Sequence, residues 1–142
     1  MAERSMAAFL KKNAVKYTEV ETVISERFQE GGAPVPWRIR VLTQKEMDAI
    51  SKSCTRRIVD AKTKEERYEV DRDALSRAML EECVAYPNLK DAALQDSYGV
   101  CGAAELAETM LLPGEYANLI KCVTQAQGID SGMADQIKIV KN

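Results

Sequence analysis

The side chains with chemical potential in this sequence are four cysteines, two adjacent glutamate pairs and a few serines. Their spacing points away from catalysis. Histidine is absent, which removes the commonest general base near neutral pH and with it Ser–His and Cys–His arrangements. Cys54, Cys83, Cys101 and Cys122 form no C-x-x-C pair, and a structural zinc site would need all four at a spacing they do not have. Cys54 follows Met47 and Ile50, Cys83 follows Leu75 and Met79, and Cys122 lies beside Val123. These three read as small buried hydrophobes, and without a secretory signal a disulfide framework is not expected. Glu81-Glu82 is a poor acid/base pair, because adjacent residues on a helix do not face each other, and both it and Glu65-Glu66 read as solvated surface charge. Gly99-x-x-Gly102 follows no strand and lacks the spacing of a phosphate-binding loop, so it reads as a turn. Ser53 and Ser97 have no visible activating partner. Tyr86, Tyr98 and Tyr116 are spread over a helical region without a basic stripe, which suits core packing with hydroxyls at the surface. No catalytic residue, cofactor or metal is expected, and the chain is not expected to be an enzyme.

The elements that would position these side chains belong to one modest domain. A chain of 142 residues suits a single domain with a core of its own. The net charge of −2 comes from mixed acids and bases, so there is no electrostatic footprint for nucleic acid. No apolar run approaches the roughly 18 residues of a membrane span. The apolar part of the N-terminal stretch is too short for a secretory signal and Glu3 comes early. The expectation is therefore a cytoplasmic protein without membrane contact, with residues 5–10 as a short amphipathic helix or frayed arm.

Residues 15–27 place Val20, Thr22 and Ile24 in alternation with Glu19, Glu21 and Val23, the pattern of a half-buried strand. Residues 28–34 hold Gly31, Gly32 and Pro34 and read as a turn or loop. Residues 35–42 alternate Val35, Trp37, Ile39 and Val41 with Pro36, Arg38 and Arg40. A β-hairpin follows, with Pro36 near a strand start, where a missing N–H is tolerated, and Trp37 on the buried face. Thr43-x-x-Glu46 is a capping-box pattern that opens a helix through Met47, Ile50 and Cys54. Residues 57–61 and 67–70 are β-prone around the charged segment 62–66, which gives either a mobile excursion or a second small hairpin. Residues 71–86 read as the clearest helix, with Leu75, Ala78, Met79 and Cys83 on one face and Pro87 as its stop.

Residues 86–116 are broken by Pro87, Gly99, Gly102, Pro113 and Gly114 into short helices turned on one another. Asn88 with Asp91 is read as a start signal, an Asx cap followed by an acid in the first turn. Ala103, Leu106, Ala107, Met110 and Leu111 share a helical face. Pro113 fits the first position of the next helix. That helix extends to Gln127, with Tyr116, Leu119, Ile120 and Val123 on one face and Gly128 as its C-terminal cap. Residues 1–128 are read as one α+β domain, an N-terminal hairpin followed by four to five short helices. Residues 129–142 are read as a tail, either disordered or paired as an edge strand through Ile137 and Ile139.

Several segments of the chain resemble the phage tail assembly chaperones of tailed phages and prophages of Gram-positive bacteria, the XkdN-like group. Tyr86-Pro87-Asn88-Leu89 followed by Leu94 to Val100, LQDSYGV, resembles the most recognisable segment of that family. Met110 to Tyr116, MLLPGEY, resembles its L-x-P-G-E-Y helix start. Val23 to Phe28, VISERF, the Pro36-Trp37-Arg38-Ile39 strand and Lys52-Ser53-Cys54-Thr55 match in the same order. The likeness runs from Ala8 to Gly128, and residues 62–66 and the tail stand outside it.

The resemblance implies a non-enzymatic role. Such proteins bind the tape measure protein, the long helical ruler of the tail, keep it soluble and help recruit tail-tube subunits. They then leave and are absent from the virion. It also implies that this chain is the short form of a pair whose longer form arises by frameshift. The partners implied are the tape measure protein, the tail-tube protein and further copies of the chain. Tyr98, Leu111 and Tyr116, by their place in the family-like segment, are the expected partner-contact residues. A structural tail subunit or connector that stays in the particle is the alternative reading.

Overall fold

The computed structural model describes residues 5–128 and 138–141. Its centre is the expected hairpin, narrower than the alternation suggested. Strand β1 (Tyr17–Thr22) pairs antiparallel with β4 (Trp37–Arg40), with Val20 opposite Ile39 and Thr22 opposite Trp37. Opposite residues share a face, so this register sends Val20, Ile39 and Trp37 into the interior together. Trp37 is 2% exposed. The reverse face carries Glu19, Glu21, Arg38 and Arg40, and Arg38 lies 3.4 Å from Glu21.

The loop between these strands carries a ribbon of its own, β2 (Gln29–Glu30) with β3 (Ala33–Pro34). Gly31 and Gly32 turn it with φ of 60° and 81°. Two successive positive φ values make a tight hairpin turn of the kind only glycine enters cheaply.

The central pair is completed from later in the chain. Residues 84–86, expected to continue a helix, form strand β7 (Val84–Tyr86) against β4. The helix before it, α2 (Arg72–Cys83), therefore stops earlier than expected. Asp71 caps its start, accepting N–H bonds from Asp73 and Ala74 at 3.1 and 3.2 Å. Strand β8 (Lys138–Lys141) pairs antiparallel with β1, which gives the order β7-β4-β1-β8. Of the expected tail, these four residues form an edge strand, and the rest lies outside the described residues. Residues 60–65 link β5 (Thr55–Val59) to β6 (Glu66–Val70), so the second small hairpin is the alternative realised, with Glu66 of the charged segment in its second strand.

The capping box at Thr43 and Glu46 is formed in full and starts α1 (Gln44–Ser53). Helix α3 (Ala92–Ser97) is capped by Asp91 itself, whose carboxylate accepts the Leu94 N–H at 2.9 Å. Asn88 instead closes a turn onto the Lys90 N–H at 3.1 Å. Helices α4 (Ala103–Met110) and α5 (Pro113–Ala126) follow, with Pro113 at the expected first position. The fold is thus α+β, with small antiparallel sheets and five α-helices among the described residues. Residues 5–10, read as a short amphipathic helix or a frayed arm, hold a single 3₁₀ turn, Ala7–Phe9, with Met6, Phe9 and Leu10 exposed.

Helices α2 and α5 cover the apolar face of the sheet, and α4 packs against α2. Leu80, Leu106, Leu119 and Val123 are fully or almost fully buried with Trp37 and Ile39. On α2 the inward face centres on Leu80, Met79 and Cys83, and Leu75 is only partly covered. On α5 it centres on Leu119, Cys122 and Val123, with Tyr116 and Ile120 at its margin. The face of α4 is the expected one: Ala103, Leu106, Ala107 and Met110 are buried.

Candidate functional site

The residues that could do chemistry are dispersed over the fold. Ser53 and Ser97 donate to carbonyls of their own helices, Ile50 at 2.6 Å and Leu94 at 2.7 Å. Glu81 and Glu82 are exposed, and Glu66 pairs with Arg57 across the small hairpin. Gly99 and Gly102 turn the chain between α3 and α4. Cys54, Cys83 and Cys122 are buried and free, and Cys101 is exposed, as their apolar spacing suggested. Burial pushes the Cys83 thiol up to about 11 and raises that of Cys122. No cluster of three or more potential metal ligands occurs among the described residues. Nor is any helix there long and apolar enough to cross a membrane.

What the fold does build is a cleft of about 410 Å³ beside the start of β4. Phe28 and Val35 come from the two sides of the glycine ribbon, and Trp37 forms part of the lining from β4. Tyr86 and Pro87 close one wall, Leu94 and Tyr98 of the α3 region another, and Met110 ends α4 beside them. The lining is mostly apolar and aromatic, and Tyr86 and Tyr98 remain 47% and 38% exposed. Five of the segments that carry the family resemblance supply all of these residues except Val35.

One polar network braces the cleft. Arg27 donates to Glu115 through Nη2 at 2.5 Å and Nε at 2.9 Å, and to the Met110 carbonyl at 2.9 Å. Its guanidinium lies 5.0 Å from the Phe28 ring centre, within cation–π reach. Glu115 also accepts from the Ser25 hydroxyl and, at 2.8 Å, from the Leu112 N–H at the start of α5. The Arg27 hydrogen bonds, then those of Ser25 and Leu112, hold the Glu115 carboxyl down to about 2. Asn118 of α5 donates to the Ile24 carbonyl at 3.1 Å. The loop after β1 is thereby clamped to the first turns of α5. The clamp joins the VISERF segment to the LLPGEY segment.

Of the three expected contact residues, Tyr98 lies on the cleft. Tyr116 is half-buried at the edge of the core. Leu111 is 6% exposed and belongs to the core, because the chain leaves α4 in extended geometry there and tucks this side chain inward. Arg27 and Glu115 were not among the expected residues. A glutamate three places into a proline-initiated helix does signal half a capping box, but its long-range cation leaves no local mark.

Residues 6–141 match the family described as phage XkdN-like tail assembly chaperone protein, TAC, a wider span than the resemblance had covered. The chain is 27% identical over 139 residues to the protein YqbN of Bacillus subtilis (strain 168), covering 96% of this chain and 93% of YqbN. Its fold matches the crystal structure of YqbN with a TM-score of 0.74 and 25% identity, over 91% of this chain and 100% of that one. With nearly the whole sequence matched, from the exposed N-terminal turn to the edge strand beside β1, the chain belongs to the family of XkdN-like phage tail assembly chaperones.

Proposed function

We propose that this chain binds the tape measure protein, keeps it soluble and helps recruit tail-tube subunits around it. It acts in the host cytoplasm, by contact and without catalysis, and is absent from the finished virion. The observation that carries the reading is the convergence of the family-like segments on one apolar, aromatic-lined cleft. A long helical ruler exposes apolar seams until the tube encloses it, and such seams aggregate. An amphipathic helix laid into a groove is an ordinary way to cover them. Tyr98 offers its exposed ring to that partner, while Tyr116 and the buried Leu111 hold the corner between α4 and α5 behind it. Copies of the chain associate along the ruler.

Co-expression with the tape measure protein tests this. The wild-type chain is expected to bring the ruler into the soluble fraction, and Tyr98→Ala, changing an exposed ring, is expected to reduce that fraction several-fold. An insoluble ruler beside soluble wild-type chain would sink the proposal, and an undiminished yield with Tyr98→Ala would remove the cleft from it. Mass spectrometry of purified particles decides the last point. Stoichiometric recovery of this chain would make it a tail component instead.

A further inference from the structure

The hairpin of β5 and β6 stands outside the core: none of residues 55–70 enters the buried cluster. Its register sets Thr55 opposite Val70, Arg57 opposite Tyr68 and Val59 opposite Glu66, and opposite residues share a face. One face therefore collects Val59, Tyr68 and Val70, which are 49%, 69% and 42% exposed. Ile58 and Glu69, on the reverse face, are half-buried. A two-stranded ribbon is marginal in water, and further strands are what stabilise one.

The outer edge of β6 is built to receive a strand. Among the described residues β6 pairs with β5 alone. Asp60 donates its N–H to the Glu65 carbonyl at 3.0 Å, and Asp71 donates to the Cys54 carbonyl at 2.9 Å. Backbone groups alternate in direction along an antiparallel strand. Counted from either of these bonds, Glu66, Tyr68 and Val70 turn their N–H and C=O away from β5, onto the open edge. The side chains of this edge complement themselves. A two-fold axis at Tyr68 sets Tyr68 on Tyr68, Glu66 on Val70 and, twice over, Arg67 on Glu69. Within one chain Arg67 lies 3.1 Å from Glu69, with side chains 69% and 44% exposed. Two such pairs laid head to tail give four charges of alternating sign. The register ends at Glu66 and Val70, short of Glu65 and Asp71, acids that one further pair would set against each other. The β5 edge has no such match, since a two-fold at its middle residue sets Arg57 on Arg57.

We infer that β6 pairs antiparallel with β6 of a second copy about Tyr68, which makes one four-stranded sheet of the two hairpins. The same patch serves both partners, so the contact is isologous and closes at the dimer. Val59, Tyr68 and Val70 of both copies then lie on one continuous face. The junction specifies the self-association in the functional reading above; it rests on that reading for its role and not for its geometry. Five residues from each copy cover far less than the roughly 1,600 Å² of a standard interface, so the dimer is weak and forms at high concentration.

Sedimentation velocity on the full chain, without any ruler, tests the junction. The wild-type coefficient is expected to climb with concentration from the monomer to the dimer value and to stop there. Tyr68→Pro removes only an outward N–H, which an edge strand tolerates, and is expected to hold the monomer value. Arg67→Glu and Glu69→Arg each oppose like charges across the axis, and each alone is expected to stay monomeric. An equimolar mixture of the R67E and E69R chains opposes unlike charges at both positions and is expected to dimerise, a rescue that a misfolded hairpin could not give. Circular dichroism confirms that every variant is folded. A wild-type chain that stays monomeric overturns the inference, as does one that grows past the dimer, which would mark open-ended stacking of β5 on β6. Single variants that dimerise normally, or a mixture that stays monomeric, overturn it too. A monomeric wild-type chain that still dissolves the ruler overturns this junction and leaves client binding standing, whereas a dimeric one beside an insoluble ruler does the reverse.

Discussion

Glu115 sits where a helix start, a loop cation and a buried hydroxyl meet, and all three hold its charge. The carboxylate answers the N–H of Leu112, the guanidinium of Arg27 and the hydroxyl of Ser25, which is itself 5% exposed. Its folded-state value of about 2 lies below the ordinary 4.5. A depressed carboxyl contributes stability that is complete above its unfolded value and is lost as pH falls through its folded value. Stability carried by this group is therefore expected to drain between about pH 4.5 and about pH 2. Glu115→Gln should lower the melting temperature at neutral pH and flatten the decline across that window. Thermal melts of both proteins from pH 7 to pH 2 check this. Some slope should survive, since Glu46 and Asp60 are also held below their ordinary values by backbone N–H groups. An identical pH profile in the variant would mean that the clamp does not couple to folding.

Among the elements, strand β4 shows how a sheet edge can be finished by a side chain. Past the short β7, the Gln127 amide takes over. Its oxygen accepts the Leu42 N–H at 2.7 Å and its nitrogen donates to the Arg40 carbonyl at 2.8 Å. The carboxamide thus does for β4 what another strand's peptide would do, and ties the end of α5 to the sheet. Gln127→Ala leaves two half-buried backbone groups without these partners, and we expect a loss of about 1–3 kcal/mol in urea unfolding. A change within error would show that water replaces the amide at no cost.

The same elements show what a sequence discloses. The starts of α1 and α5 are written in local residues, Thr43 with Glu46 in the one and Pro113 in the other, and these were legible. So were the alternation that buries Trp37 and the stripe of α4. Strand β7 was not, because Val84, Ala85 and Tyr86 continue a helical run. Only pairing with Arg38 and Ile39, far earlier in the chain, makes them extended. The inward turn of Leu80 depends likewise on where α4 and α5 lie. The pieces of the cleft could be read one by one, but their meeting could not, since Arg27 finds Glu115 across most of the chain.

At the scale of the whole molecule, the cysteines report on the integrity of a single core. Cys83 and Cys122 lie in the cluster that joins the sheet to α2 and α5, and Cys54 is buried at the base of the small hairpin. Burial raises the first two thiols, which leaves little reactive thiolate at mild pH. Native protein treated with a thiol reagent is expected to label rapidly at the exposed Cys101 alone. The other three should then follow together, at the rate of global opening. Separate rates for Cys54 and the other two would show that the hairpin region opens on its own. A fast-reacting Cys83 would contradict the core described here.

The order of the central sheet also sets a timetable. Its first two strands are synthesised early, well before their flanking neighbours, β7 and β8. Until then both rims of the nascent pair offer open N–H and C=O groups to any passing strand. In a crowded polysome, where identical nascent chains lie close together, that open pair is therefore expected to need shielding until β8 emerges to cover it.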